Sequence, residues 1–141
     1  MDDSFLRTCL FFTSNRLSRA ITKIAEEQFA STGLSPMYGY LILLVNGTPG
    51  ITQKELAEKL SVTPSTLTRF IDKLEGRHLA ERKVQGKTVL VYPTEKSKEL
   101  EVTIRAASRK LKESYSAVLG LDDASKLSDD ILASSELLEK R

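Results

Sequence analysis

Residues Thr52 to Leu74 read TQKELAEKLSVTPSTLTRFIDKL, and they constrain the fold more than any other part of the chain. Two helix-start signals follow one another closely. Thr52 with Glu55 three residues on forms a capping box: the hydroxyl accepts the third amide of the helix while the glutamate reaches back to the capping residue's own amide. Thr63 before Pro64 is a second start, with Thr63 as N-cap and proline at the first helical position, where its missing N–H is harmless. Leu56, Ala57 and Leu60 share one stripe of the first helix; Leu67, Phe70, Ile71 and Leu74 share one stripe of the second. Ser61-Val62 is the turn between them, plugged by Val62. Two short amphipathic helices joined this tightly must cross steeply, with small Ala57 where they come closest.

Burying those stripes leaves Ser65, Thr66, Thr68, Arg69 and Lys73 on the free face of the second helix, with Thr63 at its start. Short hydroxyls and the amides of a helix N-terminus donate to phosphates, and arginine bridges the paired acceptors of guanine. That is how a chain presents a helix to the major groove of double-stranded DNA. Downstream, Leu79–Val84 and Lys87–Tyr92 read as two strands around Gln85-Gly86, a β-hairpin that Pro93 ends. Arg82, Lys83 and Lys87 gather about its turn. Beside such a helix, a basic hairpin reads as a wing that reaches backbone or minor groove. By itself it reads as a solvated hairpin whose charged edge blocks strand pairing.

The flanks are helical. Ser4 to Ser31 is expected to be one helix, since apolar residues from Phe5 to Phe29 recur at three- and four-residue steps and no proline or glycine interrupts them. Gly33 ends it. Ser35 caps and Pro36 opens a second, strongly apolar helix that Asn46-Gly47 stops. After the hairpin, Thr94 caps a long helix running to about Leu119, and Gly120 breaks it. Asp122 is expected to cap a last helix with Leu127, Ile131, Leu137 and Leu138 at its apolar positions. The fold class is mainly α with a small β-hairpin: a single domain of residues 1–141, with a winged helix-turn-helix lobe over 35–98 and a helical dimerisation region over 1–34 and 99–141.

Charge agrees with that layout, although ordinary surface scatter gives the same counts. The net charge is only +2, yet Ile51–Lys98 holds ten Lys/Arg against six Asp/Glu, while Leu121–Arg141 holds three against six. The middle is basic and the tail acidic, as expected if only the middle meets phosphate. The single cysteine, Cys9, allows no intrachain disulfide. There is no leader-like segment, and no apolar run approaches the ~20 residues that span a bilayer, so a cytoplasmic location is expected.

At this point the chain resembles the MarR-type winged-helix transcriptional regulators, over nearly its whole length. The resemblance is strongest in LSPMYGYLILLV, GITQKELAEKLSVTPSTLTRFIDKLEGRHLAERK and VLVYPTEKS. It implies a homodimer whose terminal helices interlock, placing two winged lobes in successive major grooves. It also implies a repressor released by a small aromatic or anionic effector or by cysteine oxidation. Carried over, the recognition helix is Pro64 to Glu75 and the wing Glu81 to Tyr92. Three departures stand out. Gln85, Gly86 and Lys87 replace the family's Asp-x-Arg, in a hairpin about three residues short. Arg77-His78-Leu79 replaces a glycine-bearing link, for which Gly76 is expected to supply the positive φ. Ser61 stands where a turn glycine is common.

Cys9 lies where one branch of the family senses organic peroxides, with Arg7 and Arg16 as nearby charge; it is equally a small hydrophobe on a helix face. Phe12, Arg16, Tyr38 and Tyr40 are the candidate lining of an effector pocket, though such aromatics also serve as plain core. His78, the only histidine, reads as a helix-end surface residue. No metal site, cofactor, membrane partner or catalytic constellation is expected. The rival class is a winged-helix module that binds protein rather than DNA. The exposed Thr68-Arg69 and basic wing argue against it, since an interaction face would be more apolar.

Overall fold

The computed structural model describes residues 1–141. The fold is mainly helical with a small sheet, arranged as a winged helix-turn-helix lobe and long terminal helices. It divides into one unit of Met1–Gln28 with Ser108–Arg141 and another of Phe29–Ala107.

In the second unit, α3 (Pro36–Gly47) is followed by strand β1 (Ile51–Thr52), α4 (Gln53–Leu60), α5 (Pro64–Gly76), strands β2 (Glu81–Gln85) and β3 (Thr88–Tyr92), and the short α6 (Glu95–Glu99). Leu56, Leu67, Ile71 and Leu74 are buried as their spacing predicts, around Leu41, Ile42 and Val91. Gly39 lies at the end of the first turn of α3 because nothing larger fits: a Cβ there would sit 2.8 Å from Phe29 Cε2 and 3.3 Å from Ile104 Cγ2. Asn46 fastens the end of α3, its Nδ2 donating to the Ser97 carbonyl (3.2 Å) and to Glu101 Oε1 (3.1 Å).

The expected hairpin is part of a three-stranded antiparallel sheet, ordered β1-β3-β2. Ile51 pairs with Val91 and Thr52 with Leu90. Two residues are too few to show a period in sequence; what fixes them is the burial of Ile51 and the Gly50 amide donating to the Val91 carbonyl at 2.8 Å. The hairpin turn lies one residue later than expected. Gln85 pairs with Thr88, so Gly86 and Lys87 form the loop, and Gly86 takes a positive φ of 61°. Glycine first in a two-residue loop is the type II′ arrangement, whose twist suits paired strands.

Four helix boundaries differ from expectation. The first helix is broken at Cys9, which is extended (φ −86°, ψ 120°), giving α1 (Phe5–Thr8) and α2 (Leu10–Phe29). No residue of α1 is fully buried and only Leu6 is half-buried, so that single turn has little apolar packing to extend it. A 3₁₀ turn at Ala30–Thr32 closes α2, and Thr32 Oγ1 donates to the Phe29 carbonyl at 2.6 Å. Thr94 does cap, with Ser97 completing a reciprocal box, but α6 stops at Glu99 and α7 (Glu101–Leu119) begins after Leu100. At α8 (Leu121–Glu139), Gly120 rather than Asp122 holds the capping position; Asp122 and Asp123 occupy the first turn, where they favour the helix dipole.

The unit of terminal helices is thinly packed as a single chain. Of α8 only Ala124 is buried, and Leu127, Ile131, Leu137 and Leu138 are all exposed. Phe5, Leu10, Phe11, Val118, Leu121 and Leu132 are exposed with them. No helix is long and apolar enough to cross a membrane.

Candidate nucleic-acid interface

The two helices of the motif are held by their ends. Thr52 Oγ1 accepts the Glu55 amide at 3.0 Å and donates to Glu55 Oε1 at 3.2 Å, so the carboxylate meets the capping hydroxyl rather than its amide. At the other end of α4, Ser61 adopts the left-handed conformation (φ 55°, ψ 45°). The Val62 amide reaches the Ala57 carbonyl (3.0 Å) and the Ser61 amide the Glu58 carbonyl (3.2 Å), a Schellman closure built without glycine. The end of α5 repeats it. His78, not Gly76, takes the positive φ, at 60°; Leu79 N donates to Leu74 O (2.8 Å) and His78 N to Glu75 O (3.0 Å). Gly76 stays helical because the motif sets its left-handed residue immediately before Leu79, whose side chain must be buried. Thr94 Oγ1 then donates to the His78 carbonyl at 2.7 Å, linking the helix end to the cap of α6.

The N-terminal turn of α5 is a hydroxyl array. Thr63 accepts the Thr66 amide (3.2 Å) and its hydroxyl donates to Thr66 Oγ1 (2.9 Å). Ser65 Oγ lies 3.3 Å from Thr63 Oγ1, and Arg69 Nη2 donates to Thr66 Oγ1 at 3.3 Å. Ser65, Arg69 and Lys73 are exposed. Thr66 and Thr68 are half-buried; the Thr68 hydroxyl donates back to the Pro64 carbonyl (3.0 Å), and Gln53 Nε2 approaches it at 3.5 Å. Phe70, expected to face inward, is half-buried and meets the edge of Tyr38, with ring centroids 5.2 Å apart.

Between α4, the start of α5 and β3 runs a cleft of about 540 Å³. Lys87 and Thr68 both line it, as do Gln53, Lys54 and Thr88. These last three are polar residues of the cleft that sequence reasoning passed over; neither periodicity nor a cap marks them. Lys83 is exposed, with its ammonium 4.8 Å from the centre of the Tyr92 ring.

Arg82 is placed differently from the other wing cations. Its side chain does not extend toward solvent as expected of a phosphate ligand. Nε and Nη2 donate to Glu75 Oε1 (3.0 and 2.7 Å), Nη2 also donates to Asp72 Oδ1, and the Arg82 amide donates to Glu75 Oε2 at 3.0 Å. The guanidinium hydrogen bond, followed by the bond from the amide, holds the Glu75 carboxyl below its ordinary range.

The candidate sensor residues fall into separate units. Tyr38 packs on Phe70 and Tyr40 on Phe29 (centroids 5.4 Å), so both rings fill the lobe. Cys9 is exposed at the α1–α2 break, its carbonyl accepting the Thr13 amide (3.0 Å) and hydroxyl (3.2 Å). Phe12 is half-buried, and Arg16 is exposed beside Arg7 over a shallow depression floored by Leu6, Leu17 and Ala20.

Residues 41–84, from within α3 to within β2, match the model of the MarR family. An uncharacterised HTH-type transcriptional regulator, YybA of Bacillus subtilis (strain 168), is 31% identical over 93 residues, 63% of this chain. The match spans 61% of that relative's length. A transcriptional repressor, CouR, solved on a 23-mer DNA duplex superposes with a TM-score of 0.83 at 20% identity, covering 96% of this chain and 98% of that one. The PcaV transcriptional regulator of Streptomyces coelicolor, solved with its natural ligand, gives 0.85 at 19% identity, covering 96% and 98%. At these identities the two structures establish the fold.

Proposed function

We propose that the whole chain is a MarR-type transcriptional regulator that binds double-stranded DNA as a homodimer and represses from a pseudo-palindromic operator. The observation that carries this is the start of α5, where exposed Thr63, Ser65 and Arg69 and half-buried Thr66 form one polar, hydrogen-bonded surface over a buried apolar stripe. Hydroxyls and helix amides suit phosphate, while Arg69 suits a base edge. The likeness to a repressor solved on DNA supports the same reading. The exposed leucines and phenylalanines of the terminal helices support pairing with a second copy, since an apolar face this extensive is seldom left to water. Two lobes should then read half-sites about one helical turn, roughly 34 Å, apart.

The protein-binding alternative gains nothing from the lobe, where the large exposed apolar residues within 35–98 are Met37 and Val84 alone. The release signal is read as a small-molecule effector or an oxidant. For an oxidant, the exposed Cys9 thiol would reduce an organic hydroperoxide to its alcohol and become a sulfenic acid.

The test is selection of duplexes from a random pool by the native chain, with light scattering for its mass. Enrichment of an inverted repeat by a dimer is expected. Recovery of unrelated sequences, or a monomer, would remove the proposal. Treatment of the bound complex with an organic hydroperoxide, against Cys9→Ser, decides the oxidant: if both release alike, Cys9 is not the trigger.

A further inference from the structure

Strand β3 anchors the wing through buried Val91, but strand β2 has little apolar attachment of its own. Strand β2 lies at the edge of the sheet, and apart from half-buried Arg82 its residues Glu81, Lys83, Val84 and Gln85 are exposed. Such a strand is held on one side by its pairing with β3, while its own side chains add no hydrophobic packing and its outward amides lack strand partners. Both deficits are met at Arg82. Its amide is donated to Glu75 Oε2 at 3.0 Å, so the carboxylate replaces a missing neighbouring strand. Its guanidinium spans Glu75 Oε1 and Asp72 Oδ1. Asp72 and Glu75 sit three residues apart on α5, the same helix that carries Arg69 and Lys73. On a surface that meets phosphate, two unpaired carboxylates would repel the ligand, so their value must lie in what they hold.

We infer that Arg82, Asp72 and Glu75 form a positioning clamp that sets the wing against the recognition helix, and that Arg82 contributes to DNA recognition through this geometry rather than by contacting phosphate. This rests on the DNA-binding reading and assigns within it the residues that make helix and wing one reading surface. A planar guanidinium bonded to two carboxylates fixes an angle, whereas an ammonium supplies charge without direction.

The clamp and a simple cation predict opposite signs for the same change. Replacing both carboxylates, Asp72→Asn with Glu75→Gln, removes negative charge beside the DNA and frees Arg82. If Arg82 were a phosphate ligand, affinity for any duplex would rise. If the clamp positions the wing, affinity for a random duplex rises while affinity for the selected duplex falls, and their ratio drops about tenfold, the worth of one good base interaction.

The experiment measures fluorescence anisotropy of the full chain with a duplex selected by the native protein and with a random duplex of equal length. Arg82→Ala, Arg82→Lys, the double carboxylate variant and the milder Asp72→Asn are compared, each first shown to be folded by circular dichroism. A lowered ratio in the double variant and in Arg82→Ala, not rescued by Arg82→Lys, is the expected result. An unchanged or raised ratio in the folded variants overturns the clamp while leaving DNA binding intact. A native chain that prefers no duplex overturns the DNA reading itself.

Discussion

Thr63 and Thr66 share two hydrogen bonds: the Thr63 hydroxyl accepts the Thr66 amide at 3.2 Å and donates to the Thr66 hydroxyl at 2.9 Å. Thr66 Oγ1 also accepts from Arg69 Nη2, so its acceptor capacity is used within the protein and its own proton points elsewhere. The capping bond and the donor proposed to face DNA are therefore one assembly. Thr63→Ala is expected to cost about 1 kcal/mol of stability, the usual loss of an N-cap, and to weaken DNA binding by freeing Thr66 and Arg69. Thr63→Asp separates the two roles: it keeps the cap but sets a negative charge before the phosphates. Urea unfolding and DNA titration of the three proteins check this. Tight binding by Thr63→Asp would show that the array does not face DNA.

Ser61 and His78 each hold a left-handed conformation at the end of a helix. A residue with a Cβ is strained there by roughly 1–2 kcal/mol, part of which glycine loses again through its greater freedom when unfolded. Ser61→Gly and His78→Gly should each stabilise the chain by about 0.5–1 kcal/mol, raising Tm by about 2–4 °C for a domain of this size. Differential scanning calorimetry reads the change directly. A fall in Tm at position 78 would mean that the imidazole makes interactions worth more than the strain.

These two positions also show what could be seen in the chain before its structure. The caps at Thr52, Thr63 and Thr94 were legible because a hydroxyl three residues ahead of its amide is a local pattern, and α4, α5 and the hairpin followed from it and from the strand signals beyond. The left-handed residue after α5 was expected at Gly76, since glycine is the usual bearer of that conformation. The burial of Leu79 decides instead, and burial is a tertiary fact. Strand β1 escaped notice because its two residues are defined only by β3 across the sheet. The break at Cys9 carries no residue that marks it. On the candidate interface, residue type and helical spacing put Ser65, Arg69 and Lys73 on the open face. They gave no hint that Arg82 faces Asp72 and Glu75, since those partners lie ten and seven residues away across a turn.

The Glu75 carboxyl, held by Arg82, titrates below its ordinary value of 4.5. A group whose folded value is depressed binds protons more readily when unfolded. Its stabilising contribution is thus fully present above 4.5 and disappears as pH falls through the lower folded value. Native chain and Glu75→Gln should therefore differ most in urea midpoint near neutrality and converge in acid, from about pH 4.5 downward. With a third of the Glu75 side chain exposed, solvent screens the pair and the difference is modest. A gap that stays constant with pH would indicate that the loss in Glu75→Gln comes from packing rather than charge.

Lys87 sits in the hairpin loop, exposed, where it lines the cleft with Thr68 and Thr88. Unlike Arg82, it is held by no carboxylate, and unlike Lys83 it lies over no ring, so on the DNA-binding reading it is the wing cation proposed to meet a phosphate. Each phosphate neutralised by such a cation releases counterions, and the slope of log affinity against log salt changes by about 0.9 for every phosphate left unpaired. Lys87→Ala should weaken binding to selected and random duplexes by similar factors and make that slope about 0.9 shallower. Its stability should be unchanged, because the side chain anchors nothing. If instead the loss is confined to the selected duplex and the slope holds, Lys87 reads a base edge or a narrowed minor groove. The short loop would then do by sequence recognition what a longer wing does by reach.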